Sequence, residues 1–181
     1  MNDRDAADLL RPAVKPAPSA RWADLGAGTG TFTRALATLL GPDAEIHAVD
    51  ADARALRTLR DDAPTAGPRI HVHHADFTRR LPLPPLDGIL MANALHFVRD
   101  QPAMVTLGAS YLRPGGRLVV IEYENRSASR WVPHPVPFAR LVDLVADAGL
   151  TPPRIVGRRP SAYGGEMYVA VAVPSAGIVQ R

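Results

Sequence analysis

The sequence predicts an α/β protein with a Rossmann-like, doubly wound sheet of seven strands, mostly parallel with the last strand antiparallel. Three observations support this prediction. Short β-rich runs alternate with helical segments along most of the chain, the first strand leads directly into a glycine-rich turn, and the last two strands are joined by a very short connection. Alternating strands and helices are typical of parallel sheets with crossover helices.

Each predicted element follows from a hydrophobic run and the signals at its ends. The strands are predicted at residues 21–25, 44–49, 69–74, 86–91, 116–122, 153–157 and 166–173. The helices are predicted at residues 31–40, 52–61, 101–111 and 137–148, with a further short helix at 3–11. Asp52 and Asp100 are suited to accept hydrogen bonds from first-turn N–H groups, and Gly149 is suited to end a helix.

The connection between the last two strands determines their direction. Residues 161–165 are too few for the crossover that parallel strands require, so these strands are predicted to form an antiparallel hairpin.

Length and composition indicate one globular domain. The chain has 181 residues, of which 46% are hydrophobic and 22% charged, with no cysteine. We predict a division into an N-terminal helix and Pro-rich linker (1–20), a main domain (21–173) and a flexible tail (174–181). Because no apolar run has the length of a membrane span and the first residues are polar, we expect a cytoplasmic protein without membrane contact.

The charge distribution bears on nucleic-acid binding. The formal net charge is +3, and Lys15 is the only lysine among scattered arginines. Because nucleic-acid-binding proteins concentrate positive charge on one face, we expect no nucleic-acid partner.

The run from Asp24 to Gly30 carries the main functional signal. Glycines at 26, 28 and 30 lack the Cβ atoms that would keep a ligand away from the backbone, and a helix start follows. The dinucleotide pattern G-x-G-x-x-G does not fit, because its third glycine would fall on Thr31 or Thr33. The spacing therefore argues against a dinucleotide and for another nucleoside ligand.

The pattern Asp24-x-Gly26-x-Gly28-x-Gly30 resembles motif I of the class I S-adenosylmethionine-dependent methyltransferases. The segment Leu112-Arg113-Pro114-Gly115-Gly116 is similar to the L-x-P-G-G turn that precedes the fifth strand in that family. The predicted terminal hairpin, with only the last strand reversed, also resembles the arrangement in this family. The resemblance extends over roughly residues 20–173.

The resemblance implies S-adenosylmethionine as cofactor and assigns roles to residues at the strand ends. Asp50 would bind the ribose diol; Asp24, Gly26 and Asn93 would receive the cationic amino group; and Asp76, Phe77 and Ala51 would hold the adenine, with Gly28 and Gly30 completing the turn. Each acid also has a structural interpretation. Asp24 could end a strand with its hydrogen bonds satisfied within the protein, Asp50 could cap a helix, and Asp76 could belong to a turn.

The acceptor is expected beyond the fourth and fifth strands. His96 is the first candidate for a general base, because an imidazole titrates near neutral pH, although it could instead brace the cofactor loop. Tyr123 and His134 are further candidates as wall or orienting residues. Trp131 and Phe138 could line an apolar pocket or belong to the core.

The three histidines His71, His73 and His74 raise the question of a metal. His71 and His73 would share one face of a strand, which provides two ligands, and no further cluster is evident in the sequence. We therefore predict no metal site.

The acceptor class follows from what the chain lacks. It has no (D/N)-P-P-(Y/F/W) sequence after the fourth strand, no cysteine nucleophile and no core lysine. We predict methyl transfer to an O, N or C nucleophile of a small organic acceptor. A protein acceptor also remains open. Two further alternatives are a non-catalytic methyltransferase-like module that needs a partner and an RNA methyltransferase; the oligomeric state is left open as well.

Overall fold

A computed structural model describes residues 1–162 and 164–175 of the chain. The strands are β1 (Arg21–Leu25), β2 (Glu45–Asp50), β3 (Arg69–His74), β4 (Leu86–Ala92), β5 (Leu112–Tyr123), β6 (Arg154–Pro160) and β7 (Glu166–Ala172). The helices are α1 (Asp3–Leu10), α2 (Thr31–Leu39), α3 (Ala53–Asp61), α4 (Gln101–Ala109) and α5 (Phe138–Asp147), with a short 3₁₀ helix at Leu95–Phe97.

The strands form one seven-stranded sheet in the order β3-β2-β1-β4-β5-β7-β6. Neighbouring pairs from β3 to β5 are parallel, whereas β7 runs antiparallel to both β5 and β6. The predicted fold class is therefore confirmed, including the reversed last strand. The chain order changes direction between β1 and β4, which is where open α/β sheets place their ligands.

Two apolar layers cover the sheet. On one face, α4 and α5 pack against buried side chains of β1, β4 and β5; on the other, α1 and α2 pack against the opposite side chains of the same strands. Because successive residues of a strand point to opposite faces, the central strands are apolar at nearly every position.

The first helix, α1, belongs to the same core as β1. Its residues Leu9 and Leu10 are buried, and its acidic groups are paired: Arg34 Nε lies 2.7 Å from Asp3 Oδ2, and Arg159 Nη2 lies 2.9 Å from Asp5 Oδ2. The helix is thereby fixed to both α2 and β6.

Several predicted boundaries differ slightly from the observed ones. Strand β5 begins at Leu112 rather than at residue 116, because Leu112 already pairs with Leu86 of β4 and the Pro-Gly-Gly segment forms an irregularity within the ladder. At the end of the chain, Ser175 N donates to Gly149 O; residues 176–181 of the predicted tail lie outside the described residues. In the part of the chain that the structure describes, no helix combines the length and hydropathy that crossing a bilayer requires.

Candidate active site

The glycine turn between β1 and α2 is built from left-handed backbone. Gly26, Gly28 and Gly30 have φ values of +83°, +54° and +88°, which residues other than glycine rarely adopt. A Cβ on Gly26 would lie 2.5 Å from the Cβ of Ala94, and one on Gly30 would lie 2.7 Å from Leu59 Cγ, whereas one on Gly28 would meet no atom within 4 Å. Two of these glycines are thus required by packing, and Gly28 leaves backbone open to a ligand.

Asp50, at the end of β2, holds this turn in place. Its Oδ2 accepts a hydrogen bond from Gly28 N and its Oδ1 accepts one from Asp52 N, both at 2.8 Å. Asp52 in turn caps α3 by accepting from Arg54 N and Ala55 N, as predicted. Each oxygen of Asp50 retains a second lone pair, so the carboxylate has capacity for two further donors.

Asp24 is a buried acid at the end of β1. Its Oδ2 accepts a 2.6 Å hydrogen bond from Thr33 Oγ1, while its Oδ1 is buried with no hydrogen-bond partner among the described residues. Burial raises the pKa of this carboxyl to about 7, with a smaller upward contribution from the charge of Asp50. A buried carboxylate with a free oxygen is suited to bind a cation.

Asn93 follows β4 in an unusual conformation. Its φ is +52°, in the left-handed region that asparagine occupies more readily than most residues. Its Oδ1 is buried without a described partner, and its Nδ2 lies 4.0 Å from Met167 Sδ. The conformation directs the chain from β4 into Ala94, which packs on Gly26.

The residues predicted to surround an adenine lie beyond β2 and β3. Phe77 Cε1 lies 3.4 Å from the position of a Cβ on Gly26, so the ring stands beside the glycine turn. The exposed Asp76 accepts from Thr78 N and Oγ1, and these hydrogen bonds lower the pKa of its carboxyl. Ala51 is exposed, and its carbonyl lies 3.0 Å from His74 Nε2.

Two adjacent cavities open beyond the ends of β4 and β5. The first, of about 550 Å³, reaches from the start of α2 to β6 and β7. The second, of about 450 Å³, is called the aromatic cavity here and is lined by Asn93, His96, Phe97, Tyr123, Arg126, Ser129, Trp131 and Val132. The two cavities share Asn93 and Tyr123, so a ligand in one would lie next to a ligand in the other.

His96 and Glu122 form a buried pair at the aromatic cavity. His96 Nδ1 lies 2.7 Å from Glu122 Oε2, and Glu122 Oε1 accepts a 3.1 Å hydrogen bond from His96 N. The side chains are 4% and 1% exposed. An ionised carboxylate only accepts hydrogen bonds, so it places the imidazole proton on Nδ1 and leaves the lone pair of Nε2 available.

The other predicted acceptor-site residues occupy different positions. Tyr123 lines both cavities, with its ring centroid 5.9 Å from that of His96. Trp131 is 68% exposed at the rim of the aromatic cavity, whereas Phe138 packs edge-on against Tyr168 in the core. His134 is absent from the cavity lining; its backbone N donates to His96 O at 2.9 Å.

Glu122 was not predicted as a site residue, although the sequence contains a signal for it. It directly follows four consecutive apolar residues, Leu118 to Ile121, which predict a buried strand. A carboxylate buried in such a strand requires a partner. The sequence therefore indicates that some polar group must lie next to Glu122, but only the fold shows that this group is His96.

Comparison with known proteins now identifies the family. Residues 23–116, just over half of the chain, match the family model described as a methyltransferase domain. The chain therefore belongs to this family, the class I S-adenosylmethionine-dependent methyltransferases, as the glycine motif indicated.

Curated relatives include a ubiquinone/menaquinone biosynthesis C-methyltransferase, UbiE, from Pseudomonas paraeruginosa. It is 33% identical over 113 residues, which cover 60% of this chain and 44% of the relative. The UbiE protein of Pasteurella multocida is 31% identical over 105 residues, covering 56% of this chain and 39% of the relative. The chain thus matches less than half the length of these relatives.

Solved structures agree in fold. The YcgJ protein of Bacillus subtilis superimposes with a TM-score of 0.78 at 12% identity, covering 96% of this chain and 100% of that protein. Magnesium protoporphyrin IX methyltransferase of Synechocystis PCC 6803, solved with bound S-adenosylmethionine, superimposes with a TM-score of 0.70 at 17% identity, covering 96% of this chain and 77% of that protein.

Proposed function

We propose that this chain transfers a methyl group from S-adenosylmethionine to a small organic acceptor bound in the aromatic cavity. The observation that carries the proposal is the buried His96–Glu122 pair, whose histidine lines a cavity adjoining the one at the start of α2. The names of the UbiE relatives and of the protoporphyrin methyltransferase refer to small-molecule acceptors, which supports this class of acceptor.

The glycine turn and the strand ends fit the cofactor. Two buried oxygens without described partners, Asp24 Oδ1 and Asn93 Oδ1, suit its cationic amino group, and Asp50 has lone pairs free for the ribose hydroxyls. Gly28 offers open backbone for close approach. When bound, S-adenosylmethionine supplies an electrophilic methyl group on a sulfonium.

The predicted adenine residues complete the proposed cofactor site. Phe77 would contact one face of the ring, and Ala51 would lie at its edge. Asp76 would accept from the exocyclic amine through Oδ2, since Thr78 already occupies Oδ1. The exposed Arg79 pairs with that Oδ2 only at 3.6 Å. Gly26 and Gly30 shape the turn, because their missing Cβ positions face Ala94 and Leu59. The backbone carbonyl of Gly26 would also accept from the cationic amino group.

His96 acts on the acceptor in this proposal. Its Nε2 would accept the proton that the acceptor loses when the acceptor's electron pair bonds to the methyl carbon and the carbon–sulfur bond of the sulfonium breaks, which leaves S-adenosylhomocysteine. Glu122 holds the ring in the required tautomer and stabilises the imidazolium that forms. Tyr123 and the backbone of His134 position the acceptor and His96 respectively, while Trp131 covers the acceptor from solvent. Orientation of the acceptor within the cavity supplies further acceleration.

Binding of S-adenosylhomocysteine and an acceptor screen test this proposal. We expect micromolar affinity by calorimetry, and methylation of at least one member of a panel of phenols, quinols and amines. Trp131→Ala is expected to raise the KM for that acceptor about tenfold while leaving stability within about 0.5 kcal/mol, because the side chain is exposed.

Three results would contradict parts of the proposal. No binding of S-adenosylhomocysteine would refute the cofactor assignment. Binding without turnover on any acceptor would favour a non-catalytic module, and binding of RNA whose affinity falls steeply with salt, together with methylation of that RNA, would favour an RNA acceptor.

A further inference from the structure

A cluster of polar side chains lies on β2 and β3, the last two strands at one edge of the sheet. Ile46 and Ala48 of β2 and Ile70 and Val72 of β3 pack with the helical layers. The alternate residues therefore point to the opposite face. These residues are Glu45 and His47 of β2 and His71 and His73 of β3, and the strand register places His47 directly beside His71.

The distances within this cluster are short. One ligand atom each from Glu45, His47 and His71 can be chosen so that all three lie within 4.8 Å of one another. His71 Nε2 lies 3.9 Å from Glu45 Oε1, and the rings of His47 and His71 are stacked with centroids 4.9 Å apart. Three potential ligands from two adjacent strands thus converge on one region.

His73 determines which nitrogen of His47 is available. His47 Nδ1 lies 3.1 Å from His73 Nε2, while His47 Nε2 is buried and has no hydrogen-bond partner among the described residues. A proton on Nε2 would be a buried, unsatisfied donor, so the proton belongs on Nδ1, where it is donated to His73. The lone pair of Nε2 then remains free, which is the form that binds metal ions.

We propose that Glu45, His47 and His71 bind a Zn²⁺ ion, with His73 as a positioning residue. Two imidazoles and one carboxylate form a ligand set that zinc uses in proteins, and a fourth position is left for water. Tetrahedral zinc with bonds of about 2.1 Å needs ligand atoms roughly 3.3 Å apart, so side-chain rotations have to close the cluster by about 1 Å or more. The hydrogen bond to His73 provides the outer-sphere contact that orients a ligating histidine.

The charges around the cluster are compatible with a cation. Arg21 Nε lies 3.4 Å from Glu45 Oε2 and Arg69 Nη1 lies 3.7 Å from Glu45 Oε1, but these arginine side chains are 49% and 73% exposed. Such exposed pairs are weak, so Arg69 can move away when a metal competes for Oε1.

The proposed site is separate from the methyltransferase site. His47 precedes Asp50 by three residues, about 10 Å along the strand. Bound zinc would link the edge strand β3 to β2 and thereby stabilise the sheet edge, and the proposal does not depend on the proposed reaction. No metal site was predicted because one strand provides two ligands and the sequence shows no further cluster; the pairing of β2 with β3 brings Glu45 and His47 beside His71.

Zinc titration of the tag-free, chelator-treated full chain tests the proposal, with a chromophoric chelator as competitor. We expect one zinc per chain, with a Kd of about 10 µM or below and a rise in melting temperature on adding zinc. His47→Gln and His71→Ala are each expected to weaken binding at least about thirtyfold, and His73→Ala about tenfold. Circular dichroism of each variant verifies folding.

His74→Ala is the matched control, because His74 contacts the carbonyl of Ala51 and lies outside the cluster. It is expected to bind zinc like the wild type. The proposal is overturned if the wild type binds no zinc at about 100 µM, or if His71→Ala binds as tightly as His74→Ala. Should His47→Gln fail to fold, Glu45→Gln and His71→Ala alter partly exposed residues and still decide the question.

Discussion

His96 Nδ1 lies 2.7 Å from Glu122 Oε2, and both side chains are buried beside the aromatic cavity. Glu122 also accepts a hydrogen bond from the backbone N of His96, so one carboxylate fixes both the ring and the main chain of the 3₁₀ helix at Leu95–Phe97. A histidine held in this way keeps one tautomer, which distinguishes it from an exposed histidine that merely lies near a pocket.

Glu122→Gln tests the positioning role of the carboxylate. The amide has nearly the same size but is expected to lower kcat roughly 10- to 100-fold, because the imidazolium loses its anionic partner. The Kd of S-adenosylhomocysteine and the KM of the acceptor should change little. Glu124→Gln is the control: Glu124 accepts from Phe138 N and lies outside the lining of the aromatic cavity, so kcat should stay near the wild-type value. Equal kcat losses in both variants would refute this role.

Asp50→Ala tests the acid that joins the glycine turn to β2. Removing this carboxylate should weaken S-adenosylhomocysteine binding at least about 100-fold in calorimetry, since the proposed hydrogen bonds to the ribose hydroxyls are lost together with those that hold Gly28 N and Asp52 N. Asp52→Ala removes only the cap of α3 and should lower the free energy of unfolding by about 1 kcal/mol with little change in affinity. Similar affinity losses in both variants would contradict a specific role for Asp50.

Two alanine substitutions in the glycine turn should separate packing from ligand access. Gly30→Ala combines left-handed backbone with a clash against Leu59 and should lower the free energy of unfolding by about 2–4 kcal/mol. Gly28→Ala meets no clash and should lower the free energy of unfolding by only about 1–2 kcal/mol. It should nevertheless weaken S-adenosylhomocysteine binding, because the added methyl group would occupy the open space beside the backbone that the ligand approaches. Urea unfolding and calorimetry measure the two effects; full affinity in Gly28→Ala would contradict close approach of the ligand.

Asp24 should make the free energy of unfolding depend on pH. Its pKa is about 7 in the folded state against 3.8 unfolded, so between these values the folded state binds more protons. Stability should therefore fall as pH rises from about 4 to about 7, and by roughly 1–4 kcal/mol in total for this group. Urea unfolding of Asp24→Asn across this range should show the wild type losing stability relative to the variant. A constant difference would contradict the raised pKa.

The fold could be predicted from the sequence because its signals are local. The strand-to-helix alternation, the caps at Asp52 and Asp100 and the short hairpin connection each act over a few residues, and the structure confirms the resulting topology. The positions of the acids proposed to bind the cofactor could be predicted for the same reason, since they stand at strand ends that share one edge of the sheet.

Contacts between distant residues could not be predicted in this way. Glu122 lies 26 residues from His96, and their pairing depends on how the 3₁₀ helix folds back over β5. The meeting of His47 with His71 depends on the register of β2 against β3, which hydrophobic periodicity alone leaves undetermined. The packing of α1 against α2 and β6 likewise requires the three-dimensional arrangement, because Asp5 and Arg159 are 154 residues apart.

Methyl transfer by the wild type and His96→Asn, measured under saturating labelled S-adenosylmethionine with the best acceptor from the screen, tests the proposed function most directly. We predict that the wild type methylates the acceptor and that kcat falls about 10²- to 10⁴-fold in His96→Asn, with the affinity for S-adenosylhomocysteine changed less than about threefold. Equal kcat values in the two proteins would contradict a base at His96, and a wild type that neither binds the cofactor nor transfers its methyl group would contradict the function itself.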